Sequence, residues 1–280
     1  MRTEEQKKQA ERMDQAIQEA LQAIDHRIIV FSGKGGVGKT TVSIALAYCL
    51  RQQGYEVALL DADVTGPNVP KMLGLSGEIK ARDERLIPQE ADGVAVMSLA
   101  NAISPGQPVM WRGPMRSKVL YQFLGGVEWG KRDFLIADLP PGTGDEVMTL
   151  AEKMSPDMAV IVTTPQEVSL VDSRRAINMA RKTNIPKIGL IENMSGLICP
   201  ECGCEIDLFG SGGGQKQAEE MKINFLGQLP VDIETRRMAD AGLLSSRIQQ
   251  RERFFAAVQE IVRNMESMVS KPQLDSRPTP

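Results

Sequence analysis

Ile28-Ile29-Val30-Phe31-Ser32-Gly33-Lys34-Gly35-Gly36-Val37-Gly38-Lys39-Thr40-Thr41 is the stretch on which the reading of this chain turns. Its first four residues, three of them β-branched, read as a buried strand, and the apolar run at 42–50 reads as a helix. Between the two lies the pattern G-x-x-x-x-G-K-[ST], from Gly33 to Thr40. Glycines let such a loop wrap a polyphosphate with its N–H groups pointing inward, and the following helix N-terminus adds partial positive charge. In that setting Lys39 reaches the β- and γ-phosphates and the Thr40 hydroxyl takes Mg²⁺. Gly33, Gly35, Gly36, Val37, Gly38, Lys39, Thr40 and Thr41 are therefore the expected lining of an ATP site. Lys34 follows the first glycine and need not face its own subunit's phosphates. It either crosses to a neighbouring subunit, as an arginine finger does, or is a solvated loop lysine.

Outward from the loop, short continuous apolar runs recur at 28–32, 56–61, 94–99, 134–138, 158–164, 187–192 and 225–229, as in strands buried on both faces. Helical segments alternate with them at 40–53, 115–124, 145–154, 168–183, 213–222 and 247–269. The rhythm predicts an α/β fold: a doubly wound, mostly parallel sheet of about seven strands, helices on both faces, and ligands at the carboxyl ends of the strands. Three segments are expected. Residues 1–26 form a charged helix with a thin apolar stripe (Met13, Ile17, Leu21, Ile24), 27–269 form the nucleotide-binding domain, and 270–280 form a Pro-rich disordered tail. The last helix gathers Phe254, Phe255, Val258, Ile261, Val262, Met265 and Val269 on one side. Its polar face mixes both signs of charge, which favours core packing over a membrane surface.

Composition narrows the functions. With 280 residues, 42% of them hydrophobic, the chain can bury one sizeable core, and a net charge of -3 argues against a nucleic-acid coat. No run approaches the roughly 18 apolar residues of a membrane helix, and the charged start lacks a signal-peptide core, so a cytoplasmic location without a membrane partner is expected. A single histidine, His26, excludes histidine-rich metal sites and makes histidine acid–base chemistry a poor expectation.

Two further strands end in aspartates. Asp138 fits the residue that holds Mg²⁺ at the end of a strand beside the loop, and Gly142 in Asp138-Leu139-Pro140-Pro141-Gly142 is placed to sense a γ-phosphate through its N–H. Asp63, entering the turn Thr65-Gly66-Pro67-Asn68, is a candidate to position the attacking water, with Asp61 in support. Asn193, at the expected end of the strand at 187–192, either pairs with the adenine edge or sits in an ordinary turn. Cys49 lies in the apolar helix and reads as core. Cys199-Pro200-Glu201-Cys202 is a C-x-x-C that can chelate one soft metal ion or part of a cluster but cannot close a four-ligand site alone. The missing ligands would come from another subunit, from Cys204 or from exogenous thiol. A symmetric dimer would supply the four cysteines of a 4Fe–4S cluster, and a redox role and a purely structural turn are the rival readings.

These motifs together resemble the Mrp/ApbC-type P-loop ATPases that carry iron–sulfur clusters, within the MinD/ParA/nitrogenase-iron-protein class. The loop with its extra lysine, Lys34, is similar to the class signature. The narrower resemblance rests on Asp61-Ala62-Asp63, Gly66-Pro67, Trp111-Arg112-Gly113-Pro114, Asp138 to Asp145, Asn193-Met194-Ser195, Cys199-x-x-Cys202, Phe209-Gly210 and Gly212-Gly213-Gly214. It implies a slow ATPase and homodimer that holds a 4Fe–4S cluster between Cys199 and Cys202 of both subunits. Scaffold proteins would be its donors and apo iron–sulfur proteins its acceptors. Cys204 is an extra thiol beyond the family pattern. A MinD- or ParA-like positioning ATPase would want a basic helix or patch and would give the cysteines no task. An electron-transfer ATPase would place its cysteines far apart.

Overall fold

β1 (Ile24–Phe31) runs through the middle of a sheet of nine strands among the described residues, hydrogen-bonded in parallel to β7 (Arg132–Asp138) on one side and β8 (Met158–Thr163) on the other. Beyond β7 lie β2 (Val57–Asp61) and β6 (Val94–Ser98), and beyond β8 lie β9 (Ile188–Ile198) and β11 (Asn224–Val231), all parallel. These seven are the strands expected from the apolar runs. Two antiparallel additions complete the sheet: β5 (Gln89–Ala91) on β6, and β10 (Glu205–Ile206) on the end of β9. A separate two-stranded hairpin joins β3 (Lys80–Arg82) and β4 (Arg85–Ile87). The computed structural model describes residues 4–63, 66–83, 85–98, 100, 113–199 and 201–269. Trp111-Arg112, Thr65, Pro200 and the expected tail at 270–280 lie outside them.

Successive residues of each parallel strand serve opposite layers. Ile28 and Val30 face the layer of α2 (Lys39–Gln52) and α10 (Glu252–Val269), together with α3 (Val69–Leu73), α8 (Ile233–Asp240) and α9 (Leu244–Arg247). Ile29 and Phe31 face α1 (Glu4–Leu21), α4 (Gly113–Gly125), α5 (Asp145–Met154), α6 (Glu167–Lys182) and α7 (Gly213–Met221). Ile17 and Leu21 of the thin stripe on α1 are buried in that second core, and α1 packs on α4 and α5. No helix among the described residues is long and apolar enough to cross a membrane.

Three boundaries differ from the sequence expectation. β1 starts at Ile24 rather than 28, because pairing with β7 (Ile24 opposite Arg132, His26 opposite Phe134) carries polar Asp25, His26 and Arg27 into the sheet. The helix expected at 247–269 is broken at Arg251, whose non-helical backbone (φ -95°, ψ 71°) separates a 3₁₀ turn from α10 while its guanidinium pairs with Asp232 at 2.8 Å. β9 does not end at residue 192. It runs on to Ile198, past a left-handed bend at Met194 (φ 60°), and folds back as β10.

The chain leaves β1 through α2 for β2, beyond β7, whereas it leaves β7 through α5 for β8, on the opposite side of β1. Connections that part in opposite directions open a crevice at the carboxyl ends of the strands. The glycine-rich loop sits in that crevice.

Candidate nucleotide site and cysteine hairpin

Between β1 and α2 the loop turns at Gly36 and Gly38, both at φ 81°, where a side chain is strained. α2 begins at Lys39 with no side-chain cap from Gly38, so its first N–H groups are left for an anion. Gly33 is tied to α6: a Cβ there would stand 2.1 Å from the Asp172 carbonyl oxygen. Ser32 Oγ donates to the Lys34 carbonyl at 2.7 Å and fixes the loop's entry, with Lys34 half-buried.

Asp138, wholly buried at the end of β7, receives the loop's polar groups. Lys39 Nζ lies 2.9 Å from its Oδ1, Thr40 Oγ1 donates to its Oδ2 at 2.7 Å, and Ser43 Oγ donates to Oδ1 at 2.7 Å. The lysine, threonine and aspartate singled out in the sequence are thus brought together. Ser43 was not, although it lies one helical turn after Lys39 and so on the same face.

Asp61 stands in register with Asp138 on the neighbouring strand and is fully buried. Burial first, then the charge of Asp138, push its carboxyl up to about 7, against donation from Ser98 and the Val69 N–H. Ser98 Oγ (2.9 Å), Val69 N (3.2 Å) and Asp63 N (3.3 Å) all donate to it. Asp61 therefore organises the turn that carries half-buried Asp63 and starts α3. Asp63 in turn accepts from Gly66 N at 3.2 Å. Gly142 (φ 95°) gives its N–H to the Ser32 carbonyl at 2.8 Å, so in this arrangement the expected sensor is latched to the end of the loop strand.

Asn193 is buried within β9, and its Nδ2 donates to the Val37 carbonyl at 2.8 Å. That bond takes one of the two N–H donors of the amide and makes Asn193 a brace for the loop. A Cβ on Gly38 would come within 2.2 Å of the same nitrogen. The residue before it, Glu192, went unnoticed in the sequence. Fully buried, it accepts from the Gly212 and Gly214 N–H groups at the start of α7, from Ser195 Oγ (2.6 Å) and from Gln228 Nε2 (3.2 Å). A carboxylate at a helix N-terminus is favourably placed, and here it joins β9, α7 and β11.

Beyond the bend at Met194, β9 and β10 form a hairpin whose loop holds the cysteines. Cys199 N donates to the Cys204 carbonyl and Gly203 N to the Cys199 carbonyl, each at 2.9 Å. The sulfurs of Cys199, Cys202 and Cys204 all lie within 4.8 Å of one another, with Cys202 and Cys204 exposed and 3.2 Å apart. Hydrogen bonds from Cys204, backbone then thiol, lower the Cys202 pKa, and the same thiol pairing raises that of Cys204. Cys49 is buried in α2, where burial raises its pKa to about 12, as befits a core thiol.

Two cavities flank the end of β11. One, of about 430 Å³, lies beside Gly38, Thr41, Asn193 and Met194; the other, of about 440 Å³, lies beside Cys199 and Gly203. Pro230, Val231 and Asp232 line both, so one short segment is a wall common to the nucleotide side and the cysteine side.

Residues 23–266 match the profile of a family described as ParA: NUBPL iron-transfer P-loop NTPase. The chain belongs to this family. Consistently, it is 45% identical over 243 residues, 82% of each chain, to an iron–sulfur cluster carrier protein of Pyrococcus horikoshii. It is also similar to a nucleotide-binding protein of Archaeoglobus fulgidus solved in complex with ADP, in which cobalt was found: TM-score 0.75, 38% identity, 87% of this chain and 95% of that one. MinD of the same Pyrococcus species, complexed with Mg-ADP, shares the fold at TM-score 0.63 and 20% identity over 88% of this chain and 97% of that one. The resemblance read from the motifs and the doubly wound α/β fold both hold. Within this family of P-loop NTPases, the cysteine hairpin on β9 is the part that a phosphate-binding loop by itself does not require.

Proposed function

We propose that the chain is an ATP-binding and ATP-hydrolysing homodimer that carries a 4Fe–4S cluster, taken from scaffold proteins and passed to apo iron–sulfur proteins, with Cys199 and Cys202 of both subunits as ligands. One observation carries this reading: β9 braces the phosphate loop through Asn193 and, six residues later, presents Cys199. A loop that tightens on phosphates pulls on the strand that bears the cysteines.

Lys39 reaches the β- and γ-phosphates, and Thr40 with Asp138 holds Mg²⁺. Hydroxyl and carboxylate oxygens 2.7 Å apart suit a hard cation. Bound there, Mg²⁺ would neutralise phosphate charge. Asp63 orients the attacking water. Gly142 exchanges its bond to Ser32 for one to the γ-phosphate, and Lys34 crosses to the partner's phosphates. The cavity beside Asn193 takes the adenosine end. Asn193 faces the adenine edge, with the second N–H and the carbonyl of its amide as the pairing groups.

Exposed apolar side chains support a dimer across this face: Val168 and Val171 are 70% and 52% exposed on the helix that carries Asp172 against Gly33, and Ile206 and Leu208 are 40% and 50% exposed beside the cysteines. Turnover is slow in the lone subunit because the catalytic set completes only on closure. The test is anaerobic reconstitution of wild type and of Cys199→Ala/Cys202→Ala, with iron and sulfide quantitation. About four irons per dimer in the first and none in the second are expected. Equal loading in both would reject the assignment.

A further inference from the structure

We propose that Cys204 joins Cys199 and Cys202 of the same protomer in a three-thiolate site for a single soft divalent metal ion, with a fourth coordination position left open. The proposal deepens the carrier reading and rests on the same hairpin, but it assigns a residue and a mononuclear occupant that the bridging cluster does not need.

The backbone builds the site. The bond from Cys199 N to the Cys204 carbonyl places residues 199 and 204 opposite one another at the neck of the hairpin, and the bond from Gly203 N to the Cys199 carbonyl closes a tighter turn inside it. Gly203 takes φ 72°, a left-handed conformation that glycine adopts without strain, and it turns the chain so that Cys204 returns towards Cys199. Both halves of the C-x-x-C-x-C run are thereby folded onto one point.

The spacing of the sulfurs selects the occupant. Three thiolates around one tetrahedral ion, with metal–sulfur bonds of about 2.3 Å, stand about 3.8 Å apart. The sulfurs here are all within 4.8 Å of one another, and the Cys202–Cys204 pair is at 3.2 Å, so small side-chain rotations bring them to that spacing. Thiolates that each bind a different iron of a cubane radiate outwards and stand further apart. Among the described residues no fourth histidine, cysteine or carboxylate joins the group. Water, a small thiol or an acceptor's cysteine would fill the fourth position, within reach of solvent because two of the three cysteines are exposed. Binding exchanges three S–H bonds for three metal–sulfur bonds and releases three protons to solvent. No electron moves.

Cobalt(II) is the probe, titrated anaerobically into the reduced full-length protein and followed by its thiolate charge-transfer and tetrahedral d–d bands. One cobalt per chain is expected, with sizing of the same samples to show whether cobalt joins two chains. Cys204→Ser, at an exposed position, should keep its fold and nucleotide affinity. It should lose about a third of the charge-transfer intensity and at least about tenfold in cobalt affinity. Cobalt binding by Cys204→Ser that matches wild type would overturn the proposal, as would one cobalt per two chains. The carrier reading is separated by reconstituting the same variants with iron and sulfide. Cobalt bound one per chain in a protein that never loads a cluster would keep this site and reject the carrier. A cluster that loads fully while cobalt bridges two chains would do the opposite.

Discussion

The two working parts of the molecule share a strand and have little else in common. At the phosphate loop, Lys39, Asp61, Asp138 and Asn193 are buried, and two of them find partners far along the chain, 99 residues for Lys39 to Asp138 and 156 for Asn193 to Val37. At the hairpin, three thiols within six residues are held by local backbone bonds, and two of them face solvent. The contrast follows from the chemistry. Phosphate transfer needs dipoles and charges set in place where water is scarce. A carrier must meet a partner and release its load, which calls for exposure and low local stability. One end is built to hold still and the other to be reached.

The sharpest way to break this contrast is to disable one end and measure both. Lys39→Ala should lower nucleotide affinity at least about a hundredfold, since the charge on the β- and γ-phosphates goes unanswered. Cobalt and iron loading on the hairpin should stay as in wild type. Binding isotherms for both ligands on the same preparation decide it. Loss of metal loading in this variant would mean that the hairpin is not an independent unit.

A matched pair of glycines sharpens it further. Gly38 (φ 81°) and Gly203 (φ 72°) have similar backbones, yet an added Cβ meets Asn193 Nδ2 at 2.2 Å in the first and nothing within 4 Å in the second. Gly38→Ala should therefore cost about 2–4 kcal/mol, from strain plus the displaced brace. Gly203→Ala should cost only about 1 kcal/mol. Urea unfolding gives both. Equal costs would show that the hairpin is as tightly packed as the loop.

Asp63→Ala should bind ATP normally and hydrolyse it at least about tenfold more slowly if Asp63 positions water. Mixing it with Lys34→Ala chains should give heterodimers whose rate departs from the mean of the parents. Simple averaging would place the work of Lys34 in its own subunit or nowhere.

How far each region could be read in the sequence follows the same division. The seven parallel strands were legible because burial on both faces leaves continuous apolar runs, and the loop was legible because its ligands are contiguous. β5, β10, α3 and α8 were not, being two to eight residues long and set by pairing and packing rather than by periodicity. Ser43 and Glu192 escaped notice because the partners that matter, Asp138 for the first and Gly212, Gly214 and Gln228 for the second, lie on other elements. Asn193 reads as a base ligand or an ordinary turn residue, and the fold adds a bond from its amide to Val37 that the sequence does not show. Cys204 is visible as an extra thiol, but only the return of the chain at Gly203 brings it to the pair.

The smallest expected effect lies at the seam between the two regions, where Asp232 borders both cavities and pairs with Arg251. Burial works against the Asp232 carboxylate, yet Arg251 and the Thr235 N–H outweigh it and hold its pKa below the ordinary 3.8. A carboxyl depressed on folding stabilises the native state above its unfolded pKa, and that stability is lost as pH falls through the folded value. Arg251→Met keeps the cap on α8, since Thr235 N still donates to Asp232 at 2.6 Å, and removes the ion pair. With Arg251 a third exposed, the pair contributes only about 0.5–1 kcal/mol. The stability gap between wild type and Arg251→Met should thus be steady from neutrality to about pH 5 and shrink below about pH 4. Urea midpoints at pH 7, 5 and 3.5 test it, and a gap that ignores pH would mean Arg251 acts by packing alone. Because the pair braces a wall common to both sides, the same variant should alter how strongly nucleotide changes the alkylation rate of Cys199. An unaltered nucleotide effect would leave β9, through Asn193, as the sole connection between the end that holds still and the end that is reached.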